Sequence, residues 1–126
     1  MTATPRAACI VGGSGGIGAA IVRRFAADGW SPLLLMDRPG AADGIARETG
    51  GHAVAIDLAR PDTVAPAFAA ARALAPRIGA LVLASGVVDN GKLAALTKAR
   101  WDEIIAINLT GPFLCLAAAR EWIADG

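Results

Sequence analysis

Ala8-Cys9-Ile10-Val11-Gly12-Gly13-Ser14-Gly15-Gly16-Ile17-Gly18 is the stretch from which the rest of the chain can be read. A short apolar run, Ala7 to Val11, ends in glycines. From Ile17 to Ala27 the apolar residues Ile17, Ile21, Val22 and Phe25 fall at helical spacing, and Asp28-Gly29 closes the segment. A strand, a glycine loop and a helix in that order bring backbone N–H groups and a helix N-terminus against a pyrophosphate. Glycine is required there wherever a Cβ would collide with the ligand or the sheet. The spacing is Gly12-x-x-x-Gly16-x-Gly18, which is not the G-x-G-x-x-G pattern, and no Gly-Lys-Ser/Thr follows to make a Walker-type phosphate loop. The second apolar run ends nineteen residues after Gly18, at Asp37. A carboxylate at that place accepts hydrogen bonds from both ribose hydroxyls of an adenosine and repels a 2′-phosphate. NAD is therefore favoured over NADP, with Arg38 placed to pair with a phosphate and soften the preference. The same residues also suit a ligand-free turn: glycines for strand–helix packing, and Asp37 as a turn residue before Pro39.

Outward from the loop, the chain alternates. Pro32 to Met36 is a continuous apolar run, and Asp37-Arg38-Pro39-Gly40 is a turn cluster. Ala41 to Thr49 reads as a short helix, Ala53 to Ile56 as a third strand and Pro61 to Ala75 as a helix. Pro66 bends the start of that helix or falls in its first turn. Ala80 to Ala84 is a fourth strand, Lys92 to Leu96 a short helical piece, and Thr97 a cap for a helix over Trp101 to Ala124 that Pro112 kinks. The strands are near-continuously apolar, as in a parallel sheet covered by helices on both faces. The expectation is a Rossmann-type doubly wound α/β sheet, a single partial domain over residues 1–126 with strand order 3-2-1-4. His52 reads as a strand-end surface residue, and Trp101 and Trp122 as packing residues.

Composition excludes several classes. The chain has 126 residues, 55% of them hydrophobic, so disorder is ruled out. Net charge is +1, from 12 Lys+Arg and 11 Asp+Glu, which offers no field for nucleic acid or an anionic membrane. No continuous apolar run approaches the ~18 residues that span a bilayer. The longest, Ile78 to Val88, is broken by Gly79, Ser85 and Gly86, and the N-terminus does not read as a signal peptide. Cys9 and Cys115 stand in separate apolar runs, and with a single His they support neither a disulfide framework nor a zinc site. They read as two buried thiols of a cytoplasmic protein.

The pattern resembles the short-chain dehydrogenase/reductase family. Gly12-x3-Gly16-Ile17-Gly18 is similar to that family's cofactor loop, with Val11 where a Thr is usual. Asp37 stands where NAD-type members carry an acid. Asp57-Leu58 resembles the pair that frames the adenine ring, and Asn108-Leu109-Thr110-Gly111-Pro112-Phe113 resembles the segment of the fourth long helix. The resemblance implies cofactor contacts from Gly12, Ser14, Gly15, Gly16, Ile17, Gly18, Asp37, Arg38, Asp57, Leu58, Ala84, Ser85 and Gly86. It also makes Asn108 an active-site amide that bends its helix and holds a water in a proton relay. The helical spacing of Ile104, Ile105, Leu109 and Leu116 turns Asn108 inward, where an unpaired amide would cost ~1–3 kcal/mol and so needs partners. A backbone group near Pro112 would serve as well as a water.

Departures accompany the match. Leu83-Ala84-Ser85-Gly86 stands where the family reads Asn-Asn-Ala-Gly, so two amides are missing and Gly86 is kept. The implied reaction is hydride transfer between a nicotinamide and a small-molecule alcohol or carbonyl substrate, with proton transfer by a Tyr four residues ahead of a Lys. This sequence contains no tyrosine, so the chain by itself is expected to be inactive and to supply the cofactor-binding half. A non-catalytic dinucleotide-binding module acting through a partner is the alternative. A sugar-nucleotide epimerase fits less well, because the Asn108–Phe113 segment belongs to the shorter oxidoreductase branch. Leu81-Val82-Leu83 would form an apolar sheet edge, so a longer gene product, a homo-oligomer or a second chain is expected to cover it. Neither nucleic acid nor membrane is expected as a partner.

Overall fold

The computed structural model describes residues 3–125. Four strands, β1 (Ala8–Val11), β2 (Leu33–Asp37), β3 (His52–Ala55) and β4 (Ala80–Leu83), form one parallel sheet in the order β3-β2-β1-β4. Ile10 stands level with Leu35 on one side and Val82 on the other. The expected doubly wound topology is therefore the one observed. β1 is buried along its whole length, and its alternate residues serve two cores. Cys9 and Val11 join Leu34, Met36, Phe68 and Cys115 beneath α3 (Val64–Leu74) and α5 (Gly111–Ala119). Ala8 and Ile10 join Leu33, Leu35, Val22 and Ile45 beneath α1 (Gly16–Ala27) and α2 (Asp43–Thr49). Burial on both faces explains why the central strands show no polar alternation.

Pro61–Thr63 makes a single 3-10 turn before α3, and Pro66 falls in the first turn of α3, where its missing N–H costs nothing. The short helical piece after β4 is one 3-10 turn, Leu93–Ala95. Thr97 caps α4 (Lys98–Ile105), its Oγ1 accepting from Arg100 N at 3.1 Å. A widened π turn, Ala106–Thr110, then joins α4 to α5. Pro112 near the start of α5 cannot donate to the carbonyl four residues back, and the widened turn lies immediately before it.

The expected helix over Trp101–Ala124 is corrected at both ends: it runs from Lys98 and stops at Ala119. The apolar pattern continues to Ile123 for a different reason. Trp122 turns into the core, where Nε1 donates to the Ala75 carbonyl at 2.8 Å and the ring meets Phe68 edge-on at 6.0 Å. Ile123 then bridges Ile78 in parallel, with Ala124 N donating to the Ile78 carbonyl at 2.9 Å. Among the described residues this single bridge is the only pairing on the outer side of β4, at the residues just before the strand. Trp101, expected to pack, is 54% exposed. The helical course Lys98–Ala119 is also long and apolar enough, by length and composition, to cross a bilayer, which run length alone failed to register. Its apolar residues are interrupted in sequence, yet they accumulate along one helix. Little of this course is buried: Gly111, Cys115 and Ala119 face the domain, while Trp101, Leu109, Phe113 and Leu116 are more than half exposed.

Candidate functional site

The carboxyl ends of the strands open on a crevice of about 420 Å³. Gly12, Ser14 and Gly15 line it at the tip of β1. Asp37, Arg38, Asp57 and Leu58 line the side beyond β2 and β3, and Ala84, Ser85 and Gly86 the side beyond β4. A crevice at the strand ends, where the chain crosses from one side of the sheet to the other, is where open α/β sheets take ligands. Ten sequence candidates thus meet around one cavity. Gly16, Ile17 and Gly18 do not line it: Ile17 is 75% exposed at the mouth, and Gly18 is buried.

The loop glycines divide by what surrounds them. Gly12 has φ +85°, and a Cβ there would lie 2.6 Å from Ser85 N. A Cβ on Gly18 would lie 1.9 Å from the Gly12 carbonyl oxygen, so this glycine lets helix and loop touch. Gly16 is different, because beyond its chain neighbours and its own helix backbone nothing lies within 4 Å of where its Cβ would be. Gly15 would meet only the Gly12 carbonyl oxygen, at 3.7 Å. No side chain caps α1, and its first turn carries no acid. Packing therefore explains Gly12 and Gly18 and leaves Gly15 and Gly16 at an open helix N-terminus, where Gly15 N donates to the Gly12 carbonyl at 3.3 Å and the N–H groups of the first helical turn point out of the helix.

Asp37 is held firmly. Its Oδ2 accepts from Ser14 Oγ at 2.5 Å and Ser14 N at 3.1 Å, and its Oδ1 accepts from Arg38 N at 2.8 Å. Ser14 thus ties the loop to the end of β2, although Val11 has no hydroxyl to do so; Gly12 N, donating to the Met36 carbonyl at 2.7 Å, adds a second tie. Asp57 is fixed by a local turn, Oδ1 accepting from Ala59 N at 3.0 Å, while its own N–H donates to Thr63 Oγ1 at 2.9 Å.

The inward orientation expected for Asn108 is corrected. Asn108 is exposed and does not line the crevice, and the neighbours that suggested an inner face, Leu109 and Leu116, are themselves 65% and 53% exposed. The amide nevertheless finds partners, at the loop after β4 and not near Pro112. Its Nδ2 donates to the Val87 carbonyl at 2.6 Å and its Oδ1 accepts from Val87 N at 2.8 Å. Both atoms of one peptide segment are gripped by one side chain.

Five lining residues escaped the sequence reading: Ile56, Ala59, Val87, Glu103 and Ile107. Glu103 and Ile107 are four apart on one helical face, a spacing that could have flagged them once Asn108 was in view. Glu103 pairs with Arg100, Oε2 to Nη1, at 3.1 Å. The two thiols stand apart from the crevice. Burial raises Cys9 to about 12 and Cys115 to about 11, which leaves neither as a nucleophile near neutrality.

Comparison with known proteins is consistent with this geometry. A family model described as short chain dehydrogenase matches residues 6–126. The chain is 34% identical over 124 residues to the cyclic-di-GMP-binding biofilm dispersal mediator protein of Escherichia coli K12, covering 98% of this chain and 51% of that protein. It is also 34% identical over 124 residues to galactitol 2-dehydrogenase (L-tagatose-forming) of Cereibacter sphaeroides, covering 94% and 48%. A blue fluorescent protein from a metagenomic library, solved in complex with NADPH, matches with TM-score 0.85 and 30% identity over 94% of this chain and 51% of that one. The chain spans about half the length of the curated relatives it matches.

Proposed function

The chain belongs to the short-chain dehydrogenase family, and from that premise we propose that it forms the nicotinamide-dinucleotide-binding half of an oxidoreductase acting on an alcohol or carbonyl substrate. One observation carries the reading: Gly15 and Gly16 have almost nothing of the protein near their Cβ positions, yet they open an uncapped helix above a crevice. A diphosphate fits that cradle, because first-turn N–H groups and the helix dipole favour an anion. When bound, the cofactor supplies a hydride donor or acceptor at its nicotinamide ring. The residues of this chain bind and orient it. Backbone groups of Gly15 to Ile17 hold the diphosphate, Asp37 accepts from the adenosine ribose, and Asp57-Leu58 flank the adenine. Ala84 to Gly86 allow close approach beyond β4. Asn108 acts on this site by holding Val87, which lines the crevice.

Between the two cofactors we favour NAD, since the fixed carboxylate of Asp37 would face a 2′-phosphate. The NADPH of the metagenomic protein argues the other way, and Arg38, exposed beside Asp37, is the cation that would receive the phosphate. With no tyrosine in the chain, we expect binding without turnover from these 126 residues alone. Titration with NADH and NADPH, followed by tryptophan and nicotinamide fluorescence, tests the reading. Saturation below about 1 mM by either supports it, and no response to both overturns it. Tighter binding of NADPH would overturn the role given to Asp37 alone.

A further inference from the structure

The segment following β4 has little to hold itself in place. From Gly86 to Gly91 it is irregular, and Val88 is 77% exposed. Two side chains of the following helix grip it. Asn108 holds Val87 as described. Arg100, in the first turn of α4, is the second: Nη2 donates to the Val88 carbonyl at 3.2 Å and Nε to Asp89 Oδ2 at 3.3 Å. The third guanidinium nitrogen meets Glu103 at 3.1 Å. Asp89 is oriented for this contact, since its Oδ1 already accepts from Gly91 N at 2.8 Å.

Arg100 is less exposed than the other cations paired on the surface, including Arg23, which also joins two elements through Glu48 with side chains 56% and 50% exposed. Lys98 and Asp102 pair within one helix turn with side chains 81% and 55% exposed, an arrangement that contributes little. Arg100 and Asp89 are 31% and 34% exposed, lie eleven residues apart, and belong to different segments. A planar guanidinium with three acceptors fixes geometry in a way that a lone ammonium does not. Its two ends also bear on the crevice. Val87, next to the residue whose carbonyl it takes, lines the crevice, and so does Glu103.

We propose that Arg100 is a positioning residue for the nicotinamide-bearing half of the dinucleotide, an assignment that rests on the binding reading above. Asp37 marks the adenosine end and the α1 N-terminus the diphosphate, so the remaining half extends toward the tip of β4, along Gly86-Val87 and past Glu103. Arg100 keeps that wall in place before the ligand arrives and neutralises the one carboxylate on it. The adenosine end lies on the far side of the glycine loop and does not depend on this clasp.

The two ends can be tested separately in the 126-residue chain. ADP probes the adenosine and diphosphate contacts, and the tighter of NADH and NADPH probes the whole crevice. Arg100→Ala and Asp89→Asn should each weaken the reduced dinucleotide roughly threefold to tenfold and leave ADP within about twofold. Arg100→Lys, which retains the charge beside Glu103 without the fork, should recover part of the loss. Lys98→Ala should change neither ligand. Unchanged dinucleotide affinity in Arg100→Ala would overturn the proposal. Equal loss of both ligands would overturn it too, because Arg100 would then support the fold and not one end of the site. Failure of the unmodified chain to bind ADP or dinucleotide would instead remove the binding reading and this inference with it.

Discussion

Gly16 and Gly18 sit two residues apart and should respond oppositely to the same substitution. In Gly18→Ala the new methyl overlaps the Gly12 carbonyl oxygen, so loop and helix must separate and the domain loses stability. In Gly16→Ala the methyl meets nothing beyond its own helix turn, and alanine is the better helix former, so stability should hold or rise by up to about 1 kcal/mol. Dinucleotide affinity should nevertheless fall, since the methyl occupies the space left for the ligand. Urea unfolding and NADH titration on both variants separate packing from binding. The sequence put all three glycines of the motif in one class, because spacing says that a Cβ is unwelcome and not what it would strike. Cys9 gives a second test at this scale. Burial raises its thiol from 9.0 to about 12, so the folded state binds a proton that the unfolded state releases above about pH 9. Its contribution is complete below that pH and is lost as pH rises from 9 toward 12. Iodoacetamide at pH 8 should leave both cysteines unmodified in the folded chain and alkylate both in urea, as mass spectrometry would read.

Among the elements, the end of the chain's last helix was the least legible. Trp122 and Ile123 prolong an apolar pattern of helical spacing, but they belong to a turn that folds back against Ala75 and Ile78. Periodicity records that a residue is buried and does not record which element buries it. The same ambiguity misplaced Asn108: of the apolar neighbours that suggested an inner face, Leu109 and Leu116 lie on an outward one, while Ile104 and Ile105 are half-buried. Thr97 and the α1 boundaries, where caps and glycines act locally, were readable within a residue or two. Trp122→Ala removes a ring that fills the space between α3 and α5 and leaves the Ala75 carbonyl without its partner. A loss of about 3–5 kcal/mol is expected, measured by urea midpoint, and it is a large share of the ~5–15 kcal/mol typical of a domain.

At the scale of the whole molecule, strand order and crevice were legible because parallel strands covered on both faces carry so few polar residues. The outer surface was not. Trp101, Leu109, Phe113 and Leu116 are all more than half exposed along α4, the π turn and α5. Such a stripe favours association. Sedimentation should show self-association that rises with protein concentration, and Phe113→Glu should suppress it while leaving NADH binding intact. The latch between Ser14 and Asp37 bears on selectivity in a different way. Both donors of Ser14 already occupy one carboxylate oxygen, so a sugar hydroxyl arriving there largely exchanges one bond for another. Little net attraction is gained at that corner, whereas a doubly charged phosphate group would meet an acid that cannot swing aside. Asp37 is thus built to refuse one guest more than to tighten its hold on the other.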